Sequence, residues 1–415
     1  MQGAIKAIKG GGLLLIVGIL AWRALVTDLA DYYAEQETLE ADTGALRWRS
    51  DQPTALYRQG QALSEIDPPD PKAESLLQAA VWANPTNALA YLGLAELWQR
   101  AGLTEKATRL VVLADGLGPL RPPVLARSAA FWLQQNRLDL TLARWSMLLR
   151  TRPANAARLY PVLLQLAENP ATRPLLQPFL ANPPEWWDGF FAYAVVNAIQ
   201  LETVTLLYQQ RNRNGALPEA AEQKLYLDRL WKEERWLEAY LTWLGGLDAR
   251  QQSGLGNVYN GSFDLPITNL GFDWRMTSPR GTTVETIETY NTRGGKALHI
   301  SFNGERVHFQ HLYQYLYLEP GSYQLQGRAR VDSLHAERGL RWRLRCINAK
   351  TILAESEPFV GSDDWRNFKV DFTVPERDCP LQWLRLELEG RAELEFEARG
   401  DAWFDDLSIN RMEEN

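Results

Sequence analysis

The spacing of apolar and polar residues divides the chain into three regions. An unbroken apolar run, Gly10–Trp22, lies near the start. From residue 54 to about 250, apolar residues recur every three or four positions, which predicts amphipathic helices. After the glycine-rich stretch at 254–256, apolar and polar residues alternate, which predicts short β-strands up to residue 412. The clearest predicted strands are Tyr323–Val331, Leu340–Ile347 and Leu381–Glu389, with a further alternating segment at Glu393–Glu397. The expected fold class is therefore multidomain α plus β: an N-terminal membrane helix, an α-solenoid and a C-terminal antiparallel β-sandwich, or jelly roll.

The first region, residues 1–27, predicts a signal anchor. Counted from Ala4 to Val26, the segment reaches 23 residues, enough to cross a bilayer. Counted strictly, the apolar run has 13 residues, which matches a cleaved signal peptide, and a buried N-terminal helix is a third interpretation. Lys6 and Lys9 precede the run, so the N-terminus is expected in the cytoplasm and the body in a bacterial periplasm, attached to the inner membrane by one span. Residues 28–53 are expected to form a lead-in helix.

The second region contains a repeat of 34 residues. Pro85, Pro119 and Pro153 have this spacing, and the best unit is Ala88–Arg121. Its characteristic positions are Tyr91, Leu94, Ala95, Trp98, Gly102, Ala107, Val111, Ala114 and Pro119. This pattern resembles the tetratricopeptide repeat, with three units at about 54–155. The resemblance implies a concave groove for a protein partner, and the alternative is a spacer whose tryptophans and leucines only fill the stack.

Beyond Pro153 the repeat phase fades, although helical periodicity returns. The segments Phe190–Gln210, Leu217–Leu230 and Glu233–Leu247 each predict a helix, the last of them rich in aromatic residues. Residues 156–250 are therefore interpreted as irregular helical hairpins that continue or cap the solenoid.

The third region, 257–412, resembles the carbohydrate-binding modules often appended to xylanases and laminarinases. The motifs that carry this resemblance are Asn260-Gly261-Ser262-Phe263-Asp264, Gly271-Phe272-Asp273-Trp274, Gly295-Lys296-Ala297-Leu298-His299-Ile300, Leu318-Glu319-Pro320-Gly321-Ser322-Tyr323 and Trp403-Phe404-Asp405-Asp406-Leu407-Ser408-Ile409. They are more specific for the fold than for a ligand. The resemblance implies a structural calcium ion held by Asp264 and by Asp405 or Asp406, with backbone carbonyls completing the oxygen shell. Asp405 shares strand parity with Trp403, Leu407 and Ile409 and is expected to point inward. The alternative is that these carboxylates accept hydrogen bonds from backbone N–H groups or pair with an arginine.

A row of aromatic residues provides the candidate glycan-binding face. If residues 307–318 form one strand, Tyr313, Tyr315 and Tyr317 share a side with Val307 and Phe309, and the leucines occupy the other. The tyrosines then either stack on sugar rings or pack in the core, and the pattern leaves both open. Arg341 and Arg343, with Arg345, are candidates to bind acidic sugars, although pairing with Glu387 or Glu389 is the alternative.

The two cysteines of the chain, Cys346 and Cys379, are 33 residues apart in this region. An oxidising compartment would favour a disulfide between them, and two buried thiols are the alternative.

Composition and motifs narrow the function class. The net charge of −7 lacks the basic footprint of a nucleic-acid binder, so no nucleic-acid partner is expected. Four histidines and two cysteines exclude a disulfide-dense or zinc-cluster protein, and no phosphate loop, nucleophile elbow or dinucleotide motif is present. The expectation is a non-enzymatic scaffold that docks a protein partner through its repeats and contacts a polysaccharide through its sandwich. The combination resembles accessory proteins of bacterial exopolysaccharide assembly and export. The alternatives are a pure protein–protein scaffold, or a periplasmic polysaccharide lyase or hydrolase.

Overall fold

The structure is a computed structural model of the 415-residue chain. It describes residues 2–213, 219–292, 294–348 and 351–412, except for the side chains of 2–15, 212 and 213. The chain divides into two compact units, Met1–Phe190 and Phe191–Asn415. The division lies earlier than the change of pattern at residues 254–256 on which the expected boundary rested, so helices after Phe190 belong to the same unit as the sandwich.

The helices account for almost all regular structure before residue 253. Their bounds are α1 Gln2–Glu35, α2 Leu39–Trp48, α3 Pro53–Ser64, α4 Lys72–Ala83, α5 Ala88–Arg100, α6 Thr104–Leu117, α7 Pro122–Gln134, α8 Leu138–Thr151, α9 Ala156–Glu168, α10 Gln177–Ala181, α11 Trp187–Asn197, α12 Leu201–Arg213, α13 Ala220–Lys232, α14 Trp236–Gly245 and α15 Ala249–Gln252. Short 3-10 turns at Pro153–Asn155 and Arg173–Leu176 interrupt the series where proline enters the chain.

The first helix runs through the expected boundary at 27/28 and forms a helical hairpin with α2. Helix α1 runs to Glu35, and Thr38 caps α2 by accepting the N–H of Ala41. Ala34 and Ala45 are buried together where the two helices meet. The expected anchor at 1–27 includes residues 1–15, whose side chains lie outside the described part. Within the described residues, no helix is both long enough and apolar enough to cross a membrane.

Three helical hairpins follow in the phase of the 34-residue repeat: α3–α4, α5–α6 and α7–α8. Ala95 and Ala107 are completely buried where α5 and α6 cross, so their small side chains allow the backbones to approach. Gly102 occupies the left-handed conformation at the turn, and Asn136 takes the same conformation at the equivalent turn of the next hairpin. The helical architecture of this region is consistent with repeats.

The helices of the second unit differ in detail from the predicted segments. The segment expected as one helix, Phe190–Gln210, is broken at 198–200 between α11 and α12. The N-terminal end of the predicted helix Leu217–Leu230 falls partly on residues 214–218, which lie outside the described part.

Ten strands in the described part of the chain form an antiparallel β-sandwich. They are β1 Arg275–Met276, β2 Thr282–Glu288, β3 Lys296–Arg306, β4 Leu312–Leu316, β5 Gly321–His335, β6 Leu340–Cys346, β7 Ile352–Glu355, β8 Gly361–Val374, β9 Gln382–Leu388 and β10 Glu397–Arg411. Sheet A has the order β1-β4-β9-β6-β7, and sheet B has the order β2-β3-β10-β5-β8. From β3 onward the chain crosses between the sheets at every connection except the β6–β7 pair, which is the jelly-roll arrangement.

The sandwich core confirms the alternation in the longest predicted strands. Leu325, Ala329 and Val331 of β5 are buried, as are Trp342 and Leu344 of β6. The alternating segment Glu393–Glu397 is an exception, because Glu393–Phe396 forms a 3-10 turn and Leu394 is exposed. A single 3-10 turn whose residues alternate between apolar and polar satisfies a period-2 pattern without forming a strand.

Candidate functional site

The three candidate tyrosines lie on the outer side of sheet A. Leu312 and Leu316 of β4 are buried in the sandwich core, and the alternating tyrosines therefore face the other way and are half-buried. The predicted row from Val307 to Tyr317 is wrong in its first half, because Val307 and Phe309 are buried in the core. Residues 307–311 are not a strand, so the alternation begins again at Leu312 as the chain crosses from sheet B to sheet A.

Helices α13 and α14 cover one end of this tyrosine row. The ring centre of Trp231 lies 4.4 Å from that of Tyr315. Tyr240 stacks on Tyr317 with ring centres 5.5 Å apart and an angle of 16° between the planes. Burial raises the pKa of Tyr315 to about 12. Tyr315 and Tyr317 thus pack within the unit and do not form an open platform for sugar rings.

This packing predicts a structural role for Tyr315. Tyr315→Ala is expected to lower the free energy of unfolding of the second unit by about 2 kcal/mol, because the ring packs against Trp231 but is only half-buried. Denaturant unfolding of the full chain measures the change, with Tyr32→Ala as a control, since Tyr32 is 61% exposed in the first unit. An unchanged second-unit transition in Tyr315→Ala would contradict the packing role.

The arginines of β6 are already paired with carboxylates on the same face. Arg343 contacts three glutamates: its Nε lies 2.8 Å from Glu355, its Nη1 3.0 Å from Glu387 and its Nη2 3.1 Å from Glu389. Arg341 lies 3.0 Å from Glu355, and Arg345 lies 3.2 Å from Glu387. An acidic sugar at Arg341 or Arg343 would have to compete with these glutamates, so the cross-strand pairing expected as the alternative describes this face.

Next to this network, sheet A has a depression of about 310 Å³, which we call the Arg385 cleft. Gln310, Arg343, Arg385 and Glu387 line it. Arg385 is itself paired with Glu387, it donates from Nη1 to Oε1 of Gln310 at 3.1 Å, and its guanidinium carbon lies 4.0 Å from the ring centre of Trp383. Guanidinium, amide and carboxylate groups therefore converge beside an aromatic ring, which is a suitable lining for a ligand rich in hydroxyl groups.

Tyr313 connects this cleft to the tyrosine row. It is the cross-strand partner of Arg385, and its ring centre lies 6.1 Å from that of Trp383 at an angle of 81°. Of the three candidate tyrosines, Tyr313 is thus the one that lies beside the cleft.

The candidate calcium ligands lie at an irregularity of β10. The register of β10 against β5 shifts between Asp405 and Ser408, and Asp406 has a left-handed φ of 53°. Asp405 is completely buried as expected, but Trp403 faces outward, contrary to the expected shared parity. Phe404, between them, is also buried, so the backbone irregularity turns two successive side chains inward.

One oxygen of Asp405 has no hydrogen-bond donor in the described residues. Its Oδ1 accepts the N–H of Asp406 at 2.7 Å, whereas Oδ2 is buried without a partner and lies 3.9 Å from Nη1 of Arg328. Burial, together with the Asp406 carboxylate, raises the pKa of Asp405 to about 6. An orphaned, buried carboxylate oxygen fits a bound cation.

The side chains supply few of the oxygens that calcium requires. Asp264 is close enough for its charge to contribute to the raised pKa of Asp405, and its Oδ1 accepts the N–H of Lys296 at 3.3 Å. Asp406 lies 3.7 Å from Arg328. The described chain contains no group of three or more His, Cys, Asp or Glu side chains that could hold a metal ion. A calcium ion at Asp264 and Asp405 would therefore need backbone carbonyls and water for most of its six to eight ligands.

The two cysteines form a disulfide in the structure. Cys346 ends β6, and Cys379 lies in the loop before β9. Both are buried, and Gln382 donates from Nε2 to the carbonyl of Cys379 at 3.0 Å. The bond links the loop that precedes β9 to the neighbouring strand of sheet A.

The contact between α14 and the sandwich is filled by aromatic side chains. Tyr240 and Trp243 pack against Phe272, with ring centres 4.9 Å and 5.7 Å away, and Trp243 also packs against Tyr259. A cavity of about 10 Å³ remains between these rings. A wider opening of about 640 Å³ lies at the edge of the contact, between α13, α14 and residues 268–270, and no tyrosine, histidine or arginine is among the described residues that line it. A lyase cleft at a helical–β junction would need a deep opening with clustered Tyr, His and Arg side chains, and this contact does not provide one.

In the first unit, a polar group links the first helices of the three hairpins. Arg127 of α7 donates from Nε to Glu96 of α5 at 2.8 Å and from Nη2 to Gln61 of α3 at 2.9 Å. It also donates to the hydroxyl of Tyr57, whose pKa is raised by burial. Side chains from α3, α5 and α7 therefore share one face of the stack, where a bound segment would meet both charged and amide groups.

Sequence reasoning missed several residues that define these surfaces. Trp383 and Arg385 alternate with the buried Leu384 and Leu386, so their outward position was visible, but their proximity to Gln310 was not. The aromatic residues of α14 were noted as unusual, and nothing in the sequence indicates that they cover Tyr315 and Tyr317. Arg330 of sheet B was also overlooked.

Comparison with known proteins gives similarities for the sandwich. No protein-family model and no curated protein matches the chain. Among solved structures, a CBM4 module is 18% identical and aligns with 37% of this chain and 99% of its own, with a TM-score of 0.29. A CBM61 module in complex with β-1,4-galactotriose is 19% identical over 38% of this chain and 99% of its own, with a TM-score of 0.27. A CBM22 xylan-binding domain is 12% identical over 38% of this chain and 95% of its own, with a TM-score of 0.27.

Proposed function

We propose that this chain is a non-catalytic binding protein whose β-sandwich holds a glycan in the Arg385 cleft. The observation that carries the proposal is the convergence of Arg385, Gln310 and Trp383 beside a depression of about 310 Å³. A sugar offers hydroxyl groups to polar side chains and an apolar ring face to an aromatic side chain. The cleft supplies the polar groups, and the Trp383 ring next to Arg385 supplies the aromatic one. Tyr313 of β4 lies beside Trp383 and adds a second aromatic ring next to the cleft.

The filled contact between α14 and the sandwich supports the non-catalytic part of the proposal. Polysaccharide lyases and hydrolases need acid and base groups in a cleft that admits the chain. Tyr240, Trp243 and Phe272 instead fill the centre of this contact, and no carboxylate or histidine is among the described residues that line the opening of about 640 Å³ beside it.

The helical hairpins of the first unit are proposed to dock a protein partner in the manner of tetratricopeptide repeats. The face shared by Tyr57, Gln61, Glu96 and Arg127 supplies donors and acceptors from three successive hairpins. A partner segment that exchanges contacts with Arg127 could be held by all three hairpins at once.

A bacterial periplasmic location, with the anchor at 1–27 in the inner membrane and a role in exopolysaccharide assembly or export, is part of the same proposal. Support comes from Lys6 and Lys9 before the apolar run and from the disulfide of the sandwich, since disulfides persist mainly outside the cytosol. A structural calcium ion at Asp264 and Asp405 is also proposed, on the basis of the orphaned oxygen of Asp405.

Affinity electrophoresis of the full chain through neutral polysaccharides tests the glycan proposal. The gels contain xylan, β-1,4-galactan or mixed-linkage β-glucan. One of these polymers is expected to retard the wild type, and Trp383→Ala and Arg385→Ala are each expected to weaken that binding at least tenfold, which is about 1.4 kcal/mol. Trp82→Ala is the matched control, because Trp82 is 85% exposed in the first unit, and it should leave the retardation unchanged.

Absence of retardation by every neutral polymer, from a folded wild-type chain, would sink the proposed glycan site. The second candidate function, a pure protein–protein scaffold, would then replace it. The observation that favours this second candidate is the coverage of Tyr315 and Tyr317 by Trp231 and Tyr240, since packing within the unit already occupies that part of the outer face.

A further inference from the structure

The outer face of sheet B carries an arginine surrounded by aromatic rings. Arg330 of β5 lies opposite Trp403 of β10, and its guanidinium carbon is 3.8 Å from the centre of the Trp403 ring. The same carbon lies 4.5 Å from the ring centre of Tyr290 and 5.6 Å from that of Trp365. Three rings from different parts of the chain therefore fix the position of one guanidinium group.

This arginine differs from those of sheet A in its charge partners. Within the described residues Arg330 makes no ion pair, and its hydrogen bond is donated from Nη1 to the hydroxyl of Thr289 at 3.2 Å. Arg330 is half-buried, and none of its nitrogen atoms is a fully buried donor without an acceptor, so its remaining N–H groups reach solvent. The guanidinium is thus held in place but still has free donors.

The surrounding groups hold Tyr290 in a fixed position beside the arginine. Tyr290 is 57% exposed, its hydroxyl donates to Asp364 at 3.1 Å, and its carbonyl accepts the indole N–H of Trp365 at 3.0 Å. The same oxygen of Asp364, Oδ1, also accepts the backbone N–H of Trp365 at 2.8 Å, so it is hydrogen-bonded to both Tyr290 and Trp365. An aromatic ring with an exposed surface therefore stands next to a guanidinium with free donors.

We propose that this part of sheet B is a second binding site, separate from the Arg385 cleft, for a sugar that bears an oxyanion. The guanidinium fork of Arg330 would donate two hydrogen bonds to the carboxylate or sulfate, and the exposed Tyr290 ring would contact the sugar ring. Because Trp403 and Trp365 restrict the guanidinium before binding, little side-chain entropy is lost when the oxyanion is bound.

A second arginine on this face, Arg328, helps to decide where the oxyanion of the sugar would bind. Arg328 lies 5.0 Å from the centre of the Trp365 ring, and its Nη1 donates to the carbonyl of Asn291 at 2.6 Å. It also lies 3.7 Å from Asp406, so its charge is partly balanced. The oxyanion is therefore placed at Arg330, and Arg328 contributes a longer-range attraction.

Affinity electrophoresis of the full chain through polygalacturonate tests this site. The wild type is expected to be retarded, less so as sodium chloride is added, and Arg330→Gln is expected to weaken binding at least tenfold. Arg366→Gln is the matched control: it removes the same charge from sheet B, but Arg366 is paired with Glu357 and Asp363. Its effect should stay below about twofold. Tyr290→Ala gives a second variant that keeps the arginine, and it too should weaken binding.

Two further arms identify the ligand and separate this site from the first. Fully methyl-esterified polygalacturonate should lose the Arg330-dependent retardation, and a dextran sulfate gel shows whether sulfate can replace carboxylate at the same residue. Trp383→Ala should leave polygalacturonate binding unchanged, and Arg330→Gln should leave neutral-polymer binding unchanged. The two proposed sites can therefore be rejected independently of each other. The proposal is overturned if no oxyanion-bearing polymer retards the folded wild type, or if Arg330→Gln and Arg366→Gln weaken binding equally.

Discussion

Loss of the disulfide between Cys346 and Cys379 is expected to lower the free energy of unfolding of the second unit by about 3–4 kcal/mol. The bond closes a loop over a sequence separation of 33 residues, and in the chain-entropy model its removal gives that freedom back to the unfolded chain. The loop includes β7 and β8, each of which is an edge strand that pairs with only one neighbour in its sheet.

Denaturant unfolding with and without dithiothreitol measures this effect. The double variant Cys346→Ala/Cys379→Ala provides the control, because it should unfold at the lower stability and should not respond to the reductant. A wild-type midpoint that dithiothreitol leaves unchanged, although thiol titration shows both cysteines reduced, would contradict the expected contribution.

The second large effect concerns the buried carboxylate of Asp405. In the absence of divalent cations, the contribution of Asp405 to the stability of the second unit is expected to become more favourable as the pH falls from 7 to 4. Burial, with the Asp406 carboxylate, raises the pKa of Asp405 from 3.8 to about 6, so the folded state binds a proton more tightly than the unfolded state does. The ionised carboxylate therefore destabilises the fold above pH 6, and the penalty is relieved between pH 6 and pH 4. A shift of about two pKa units corresponds to about 3 kcal/mol.

Unfolding of wild type and Asp405→Asn in EGTA at several pH values isolates this group. At pH 7 the variant should be more stable than the wild type by about 2–3 kcal/mol, and the difference should vanish near pH 4. Asp273, whose pKa is also raised by burial, is present in both proteins and cancels in the difference. Added calcium should stabilise the wild type at pH 7 and leave Asp405→Asn unchanged. Equal pH dependence of the two proteins would be evidence against a buried, ionisable Asp405, and an equal response to calcium would be evidence against the proposed ion.

The two faces of the sandwich show why charge content alone does not identify a binding residue. The arginines of β6 in sheet A were predicted from the sequence to bind acidic sugars, but Arg343 is paired with three glutamates. Sheet B has Arg330, which the sequence does not distinguish from its neighbours, and aromatic rings surround it instead of carboxylates. Cross-strand partners decide whether an arginine is available, and they come from segments that are far apart in the chain.

Local patterns were sufficient for much of the architecture. The 34-residue repeat predicted the positions of three helical hairpins, because small residues at Ala95 and Ala107 and a turn at Gly102 are local requirements of a tight helix pair. Alternation in β5 and β6 predicted which residues are buried, because successive side chains of a strand point to opposite faces. The α plus β organisation followed directly from the change between these two periods.

The patterns failed where the backbone leaves its regular period. Residues 307–311 are not a strand, so the parity that Val307 and Phe309 were expected to share with Tyr313 is lost. The irregularity of β10 at Asp405 and Asp406 has the same effect: Phe404 and Asp405 both face inward, so Trp403 does not share the parity of Asp405 that was expected. An extra or irregular residue moves each following side chain to the other face of the sheet. The apolar–polar pattern of a single sequence does not show where such an irregularity occurs.

The sequence by itself therefore determined the three helical hairpins of the repeat and the buried faces of β5 and β6, because these depend on periods of 3.6 and 2.0 residues within one stretch of chain. Only the tertiary structure decided what lies opposite each face. It places Trp231 and Tyr240 over Tyr315 and Tyr317, pairs Arg343 with glutamates, and leaves Arg330 among aromatic rings with donors open to solvent. The physical reason is that burial and pairing depend on residues many positions away, whose approach is set by the packing of whole helices and sheets.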